Sequence, residues 1–142
     1  MIMSLQDLYS DAQAITASAA STNYYDRGAQ GLPYGATVAM PRDMGKGNQV
    51  PLRIQVVETF ATLTSLKVAV QADDDVAFGS PTTVLETEAI AAASLVRGYY
   101  FNIIYLPVGL TERYIRLYYT VAGSNATAGK ITAGHVLANQ TA

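Results

Sequence analysis

Two runs of residues in the middle of the chain alternate between apolar and polar side chains, and this alternation limits the fold more than any other feature. Residues 51–60 read PLRIQVVETF, in which every second side chain from Leu52 to Val56 is apolar. Residues 65–72, SLKVAVQA, repeat the pattern with Leu66 as the first apolar position. Neighbouring side chains of a β-strand point to opposite faces, so each run predicts a strand with one buried and one exposed face.

Further runs also have the composition of strands. These runs are 82–89 (TTVLETEA), 99–107 (YYFNIIYLP), 113–121 (RYIRLYYTV) and 129–139 (GKITAGHVLAN). Turn-forming stretches such as GSP and AGSNATAG separate them. Short strands at near-regular spacing predict an all-β fold, an antiparallel sandwich or barrel. At 142 residues the chain fits a single domain, residues 1–142.

Two segments compete with this interpretation as short helices. Residues 3–15, MSLQDLYSDAQAI, carry a weak apolar stripe that permits one helical turn. Residues 86–96, ETEAIAAASLV, are rich in alanine, which favours helix. The second segment is short and lies between two strand patterns, so we interpret it as a linker that holds a turn of helix.

The N-terminal region contains an unusual stretch of small side chains. Residues 13–22, QAITASAAST, include one large side chain, Ile15, and no charge. Short side chains let two backbones approach closely, which suits strand addition to a sheet edge in this chain or in another subunit. We expect residues 1–22 to form an extended arm, with residues 10–22 as an edge strand or arm near a subunit contact; the alternative is an internal first strand of the sandwich.

Residues 24–50 predict a long loop, because they hold five of the eleven glycines and two of the five prolines. Within them, GLPYG has the composition of a turn, since proline presets φ and glycine adopts the reversed one. Val38 and Met40 could form a short hairpin arm. Loops of this length in compact domains usually have a function, so we interpret the segment as a binding loop. The alternative is a surface excursion without a role.

Charge and composition exclude several classes of protein. Only 14% of residues are charged and the formal net charge is −2, with no run of basic residues, so nucleic-acid binding is not expected. Without cysteine there are no disulfides and no thiolate metal sites. We find no signal peptide and no apolar stretch long enough to cross a membrane, and we expect synthesis in a cytosol.

No constellation of residues predicts catalysis or a cofactor. The one histidine, His135, has no nucleophile placed beside it by any motif. The three acids at 73–75 could offer oxygens to Ca²⁺, but they lack the spacing of a calcium loop, so we expect a solvated turn. Glu86 and Glu88 share a strand face on which nothing else converges. We predict that the protein is not an enzyme.

Tyrosine is abundant: there are ten, against three phenylalanines and no tryptophan. Three pairs of neighbouring tyrosines would each present one ring outward from a strand, and exposed tyrosines are enriched at protein interfaces. Together with the low charge, they favour association with another protein. The candidate interface residues are Gln13, Ile15, Thr16, Tyr24, Tyr25, Arg27, Tyr34, Met40, Arg42, Tyr99 and Tyr118.

Several colinear blocks together resemble one family. They are SDAQAITASAASTN, MPRDMGKGNQVPLRIQVVETF, VAVQADDDVAFGSPTTVLET and LVRGYYFNIIYLPVGLTERYIRLYYTVAGSNATAGKITAGHVLA. In this order they resemble the Bbp16 family of tailed-phage capsid proteins. The stretch AQGLPYGATVA is longer than the same stretch in the family pattern. The three acids at 73–75 make that turn more acidic than the family pattern implies.

The resemblance implies a jelly-roll-like β-sandwich that acts as a capsid cementing, or decoration, protein. It implies that the partner is the major capsid protein on the outer face of an assembled shell. It also implies a homo-oligomer, with a dimer favoured over a trimer. The alternative function is a virion-surface module that recognises a host glycan or receptor, for which Tyr24, Tyr25, Tyr34 and Asp43 could supply an aromatic platform with an acid.

Overall fold

Seven strands form one antiparallel sheet in the computed structural model, which describes residues 3–40, 43 and 47–139. The strands are β1 (Met3–Ala14), β2 (Ala19–Ala20), β3 (Tyr25–Asp26), β4 (Leu52–Asp73), β5 (Thr82–Glu86), β6 (Ile90–Ala91) and β7 (Tyr114–Val136). Their order is β1-β7-β4-β5, with β2 and β3 also paired to β7 and β6 to β4. The predicted all-β, antiparallel class is confirmed. Within the described residues, no helix is long and apolar enough to span a bilayer.

The two central strands are too long to be straight. β4 has 22 residues and β7 has 23, and a straight strand of that length would extend about 70 Å. A compact domain of this size has a radius of gyration of only about 14 Å. The pairing of β4 with β7 loses its regular register between Val56 and Ser65, which marks the bend.

Thr62 holds the two bends together. Its backbone has φ 72°, a left-handed conformation that a β-branched residue seldom adopts. Its hydroxyl accepts a hydrogen bond from the Thr127 amide at 3.0 Å and donates to the Asn125 carbonyl at 2.8 Å, both on β7. The bend of β4 is therefore bonded to the bend of β7.

Contacts between distant parts of the sheet show that it folds over on itself. Ser10 pairs with Ala133 at one end of β7, yet its hydroxyl lies 2.8 Å from the hydroxyl of Tyr119 near the other end. Tyr25 lies on the strand beside the start of β7, yet its ring centroid is 5.0 Å from that of His135. The two halves of the sheet therefore pack face to face as two layers.

Each layer contains four neighbouring segments. In order, the first layer contains β1, residues 129–136 of β7, residues 52–58 of β4, and residues 99–106. The second contains β2 with β3, residues 114–122 of β7, residues 65–73 of β4, and β5 with β6.

Residues 99–106 are not a regular strand, so the strand predicted over 99–107 was wrong in this respect. Two isolated bridges, Pro51 with Tyr105 and Gln55 with Tyr100, join the segment to β4. Backbone hydrogen bonds also join the segment to residues 50–56, which are the start of β4 and the two residues before it. The segment still completes the edge of the first layer.

Both layers contribute alternate apolar side chains to one core. The predicted alternation is confirmed in both halves of β4, where the apolar set beginning at Leu52 and the set beginning at Leu66 are buried. The largest fully buried side chains are Tyr9, Tyr119, Phe101, Ile15, Leu52, Ile54, Leu66, Leu95, Leu110, Ile115, Leu117 and Ile131. Burial of these side chains is the main favourable contribution to folding.

The two helical candidates have different outcomes. Residues 3–14 form β1, so a helical turn there was wrong: the segment is extended and pairs with β7 through several register shifts. Residues 3–14 thus form an edge strand of the chain's own sheet, and β1 pairs only with β7 among the described strands. In residues 86–96, a single 3₁₀ turn at Ala92–Ser94 matches the expected turn of helix.

Candidate interaction surface

The two ends of the sandwich differ in their side chains. One end, which we call the loop end, contains residues 24–40, 74–81, 104–113 and 137–139. The other, which we call the small-residue end, contains the bends and the turn after β1: residues 15–18, 61–64 and 122–128. At the small-residue end the sequences ITAS, ATLT and AGSNATA supply only Ala, Ser, Thr, Gly and Asn, apart from the buried Ile15 and Leu63.

Side-chain to backbone hydrogen bonds join the segments of the loop end. The Arg27 Nη1 donates to the Leu110 carbonyl at 2.8 Å. The Asp43 carboxylate accepts from the Gly109 amide, with both oxygens 3.3 Å from the nitrogen. These bonds attach the long loop over 24–50 to the turn that precedes β7.

Large apolar side chains that face solvent are concentrated at and beside the loop end. Of thirteen such side chains among the described residues, ten lie there: Leu5, Tyr24, Leu32, Tyr34, Val38, Met40, Val76, Ile104, Val108 and Leu137. Single exposed apolar residues are ordinary, but a concentration on one surface is typical of an interaction site.

Residues 31–40, which we call the apolar loop, carry four of these exposed side chains. Tyr34 is fully exposed and Met40 is 58% exposed. The loop has a defined turn, because the Ala36 amide donates to the Pro33 carbonyl at 3.0 Å and the Met40 amide donates to the Gly31 carbonyl at 2.9 Å. The predicted turn over GLPYG is confirmed. No charged side chain occurs between Arg27 and the end of this loop.

An aromatic cluster packs against Tyr24 at the loop end. The rings of Tyr24, Phe78 and Tyr114 meet edge to face, with centroids 5.5 to 6.5 Å apart. The Arg116 guanidinium lies 4.2 Å from the centre of the Phe78 ring, and Arg113 lies 4.9 Å from that of Tyr114. Burial lowers the pKa of Arg116. The cluster leaves Tyr24 48% exposed, as a supported ring at the surface.

Arg113 also joins β3 to β7. Its guanidinium makes two hydrogen bonds of 2.8 Å to the two carboxylate oxygens of Asp26. These hydrogen bonds from the guanidinium raise the pKa of Arg113. Both side chains are more than a third exposed, so we assign the pair an orienting role and little stability.

The three acids at 73–75 form a turn, as expected. The Asp73 carboxylate accepts from the amides of Asp75 at 2.9 Å and Ser80 at 3.1 Å. The hydrogen bond from the Asp75 amide is the main reason that the pKa of Asp73 is lowered. Asp75 in turn accepts from the Ala77 amide at 3.0 Å. Within the part of the chain that the structure describes, no group of three acids or histidines is placed to hold a metal ion.

His135 lies half-buried between two tyrosines. Its Nε2 is 3.0 Å from the Tyr9 hydroxyl, and the rings of Tyr9 and Tyr25 meet it edge-on at 5.2 and 5.0 Å. Burial lowers the pKa of His135, so the neutral imidazole is favoured. The side chain has the partners of a structural residue that joins the two layers.

A model of one protein family matches most of this architecture. The Bbp16 family model matches residues 9–135, from β1 to the end of β7. The chain belongs to the Bbp16 family. The matched residues include both layers and the apolar loop, and the family is phage-associated, which indicates a phage-related structural protein. A comparison with curated proteins gives no match.

Three of the predicted interface residues lie exposed at the loop end of this Bbp16 protein: Tyr24, Tyr34 and Met40. Arg27 is there too, but it is half-buried and bonds to the neighbouring turn. Arg42 lies outside the described residues.

The other predicted interface residues are elsewhere. Ile15 is completely buried in the core, so its side chain is not available to a partner. Gln13 bonds to Ser10 and to residues 20 and 22 of its own chain. Thr16 is exposed at the small-residue end. Tyr99 and Tyr118 are half-buried, Tyr99 in the first layer and Tyr118 in the second. Tyr25 packs against the ring of His135.

Several exposed apolar residues of the loop end were not predicted from the sequence. Leu32 and Val38 belong to the apolar loop, while Val108 and Leu137 reach the same end from other segments. The uncharged run from residue 28 to residue 40 was the available signal for the first two. No sequence signal places the other two beside them, because that depends on how the layers fold.

Proposed function

We propose that this Bbp16 protein is a capsid decoration protein that binds the outer surface of the assembled major capsid protein shell and stabilises the genome-filled head. One observation carries the proposal: exposed apolar side chains concentrate at the loop end, whereas the small-residue end presents short, mostly polar ones. A protein that binds a surface needs exposed apolar side chains at the end that makes the contact and polar side chains at the end that faces water. The role is structural, and no catalytic step is part of it.

Such a contact takes only a small part of the protein's surface. The described residues expose 7882 Å², and a stable interface takes about 800 Å² from each partner, or roughly a tenth of this surface. The hydrogen-bonded turn of the apolar loop holds Tyr34 and Met40 in position before binding. Preorganisation of this kind reduces the entropy lost on association.

Stabilisation of the head follows from linkage. A molecule that binds only the assembled shell favours assembly by RT ln(1 + [L]/Kd), which is about 2.7 kcal/mol per site at one hundred times Kd. Many copies on one shell multiply this effect. We further propose that the protein acts as a homo-oligomer, with a dimer favoured over a trimer, after synthesis in the host cytoplasm.

The strand connections support a jelly-roll fold, which is common in viral capsid domains. The pairing is nested: β1 pairs with the end of β7, and β2 and β3 pair with its start. Further in, the start of β4 pairs with residues 99–106 and its end pairs with β5. A nested set of antiparallel pairs, folded over into two four-membered layers, is the arrangement of a jelly roll.

The test is binding to empty shells assembled from the phage's major capsid protein. We expect saturable binding of the wild type and a raised melting temperature of the shells. The double variant Tyr34→Ser, Met40→Ser should bind at least about tenfold more weakly, since each buried side chain contributes roughly 1.5–3 kcal/mol. Both side chains face solvent, so the urea midpoint of the free protein should not change.

Val96→Ser is the matched control, because Val96 is 49% exposed but lies beside the bend of β4, away from the loop end. It should bind shells like the wild type. Equal binding by the loop variant would contradict docking through the apolar loop. A wild type that ignores shells but binds a host glycan would favour the alternative, in which the exposed ring of Tyr24 stacks on a sugar.

A further inference from the structure

The two sides of the sandwich are closed to different degrees. On one side, β1 is bonded to the segment that follows it: the Gln13 side chain donates to the Ala20 carbonyl at 2.8 Å, and the Asn23 amide donates to the Tyr9 carbonyl at 2.9 Å. On the other side, β5 forms the edge of the second layer and pairs only with β4 among the described strands. No hydrogen bond joins β5 to residues 99–106 across that side, within the described residues.

A groove of about 400 Å³ opens between these two edges. Apolar side chains from both layers line it, and two acids stand on its β5 side: Leu85, Ile90, Tyr99 and Ile103, with Glu86 and Glu88. Glu86 is paired with Lys67 at 3.1 Å. Glu88 is exposed and makes no ion pair with any described residue.

We propose that this open edge binds an extended segment of the capsid protein, which adds to β5 as a further strand. The segment would place apolar side chains in the groove and a lysine or arginine beside Glu88. This inference rests on the proposed decoration function and names a second contact, separate from the apolar loop. It predicts that the partner segment has apolar residues at alternate positions with a basic residue among them.

The character of β5 supports strand addition. An edge strand has unpaired amides and carbonyls, and proteins usually protect such edges with proline, lysine or a covering segment. β5, with the sequence TTVLE, contains neither proline nor lysine and no other described strand covers its outer edge. Pro81 directly before it, its length of five residues and its bulge opposite Val70 and Gln71 limit an added strand to a few residues. Its Leu85 remains 39% exposed at the mouth of the groove. Main-chain hydrogen bonds would supply affinity, and the groove would supply specificity.

Charge favours a basic partner over a second copy of this chain. An antiparallel pair of β5 strands centred on Val84 would place Glu86 of each copy opposite Thr82 of the other and would leave Glu88 without a partner of opposite charge. A basic side chain of another segment would neutralise Glu88. Glu88 therefore favours a segment that carries a basic residue.

The experiment measures shell binding by two groove variants, Leu85→Asp and Glu88→Lys, on shells of the major capsid protein. Each should weaken binding at least about tenfold, which is the loss expected of a contact residue that contributes more than about 1 kcal/mol. The controls are Val96→Asp and Asp11→Lys, which make the same changes outside the groove and should bind like the wild type. Urea midpoints of all four free variants should stay near that of the wild type.

Hydrogen exchange gives a readout that a merely structural role would not change. The amides of Thr82–Glu86 that point away from β4 should exchange at least about tenfold more slowly in the shell-bound protein than in the free protein, because strand addition protects them. Wild-type binding that survives both groove variants without this protection would overturn the inference and leave the decoration function intact. Failure of the wild type to bind shells would overturn both. Conversion of a free dimer to a monomer by Leu85→Asp would assign the edge to a second copy and also overturn the inference.

Discussion

The contact between Ser10 and Tyr119 offers the sharpest test of how the two layers pack. Both side chains are completely buried, and their hydroxyl oxygens are 2.8 Å apart. The Ser10 hydroxyl also lies 2.7 Å from Oε1 of Gln13, which can only accept. Ser10 therefore donates to Gln13 and accepts from Tyr119. Burial raises the pKa of Tyr119, so its phenol stays protonated and able to donate.

The two single variants should therefore have unequal costs. Ser10→Ala leaves the buried Tyr119 hydroxyl without a partner, which costs about 1–3 kcal/mol. Tyr119→Phe leaves Ser10 bonded to Gln13, so only a typical hydrogen bond of about 0.5–1.5 kcal/mol is lost. The double variant should cost less than the sum of the two, because it removes the orphaned hydroxyl together with its partner.

The assay is equilibrium unfolding in urea, with the four proteins of the cycle compared at one pH. Tyr34→Phe is the control, because it removes a phenol hydroxyl that faces solvent and should leave the free energy of unfolding unchanged. Additive effects, or a larger loss for Tyr119→Phe than for Ser10→Ala, would refute the reasoning. The two hydroxyls would then not meet across the layers.

Two further predictions concern backbone strain and pH. A Cβ at Gly129, where φ is +135°, would lie 2.2 Å from the Phe60 ring, so Gly129→Ala should cost at least about 3 kcal/mol of unfolding free energy in urea. Gly98→Ala, with φ +92° and open space around it, should cost only about 1–2 kcal/mol; equal losses would contradict the clash. Because burial lowers the folded-state pKa of His135, the unfolded chain binds more protons just below pH 6.5, and stability should fall as the pH drops through this range. His135→Gln should flatten that part of the urea-midpoint profile, and an unchanged slope would assign it to other groups.

The strands that sequence reasoning predicted well are those in which burial of one face dominates. Alternation over 51–60 and 65–72 matches β4, since its apolar face meets the core on both sides of the bend. β1 was mistaken for a possible helical turn because its register shifts and the positive φ of Ala12 interrupt the alternation. Tertiary pairing with β7, which no local pattern reveals, makes this segment extended.

Local sequence patterns did not predict that the long strands are continuous. Runs 113–121 and 129–139 were separate predictions, but β7 continues through the intervening AGSNATAG as one strand, and its register with β4 shifts there. Glycines and small residues usually signal a turn. Here they allow a bend, which hydrogen bonds from Thr62 hold in place.

The candidate surface could be predicted only where it is contiguous in the chain. Tyr34 and Met40 were identified because a long loop rich in glycine and proline carries them. Ile15 was misplaced because a lone large side chain among small ones suits a core position as well as a contact. The groove beside β5 combines residues near 85 and near 103, which lie in different layers, so only the fold reveals it.

The pairing of Met3 with Val136 has a consequence for biosynthesis. Ribosomes add about 5–20 residues per second, so Met3 is synthesised roughly 7 to 27 seconds before Val136. β7 is an inner strand of both layers, and neither layer can be completed by a nascent chain that lacks it. Completion of either layer therefore waits for the synthesis of β7, and until then the backbone of β1 is open to pairing with other strands.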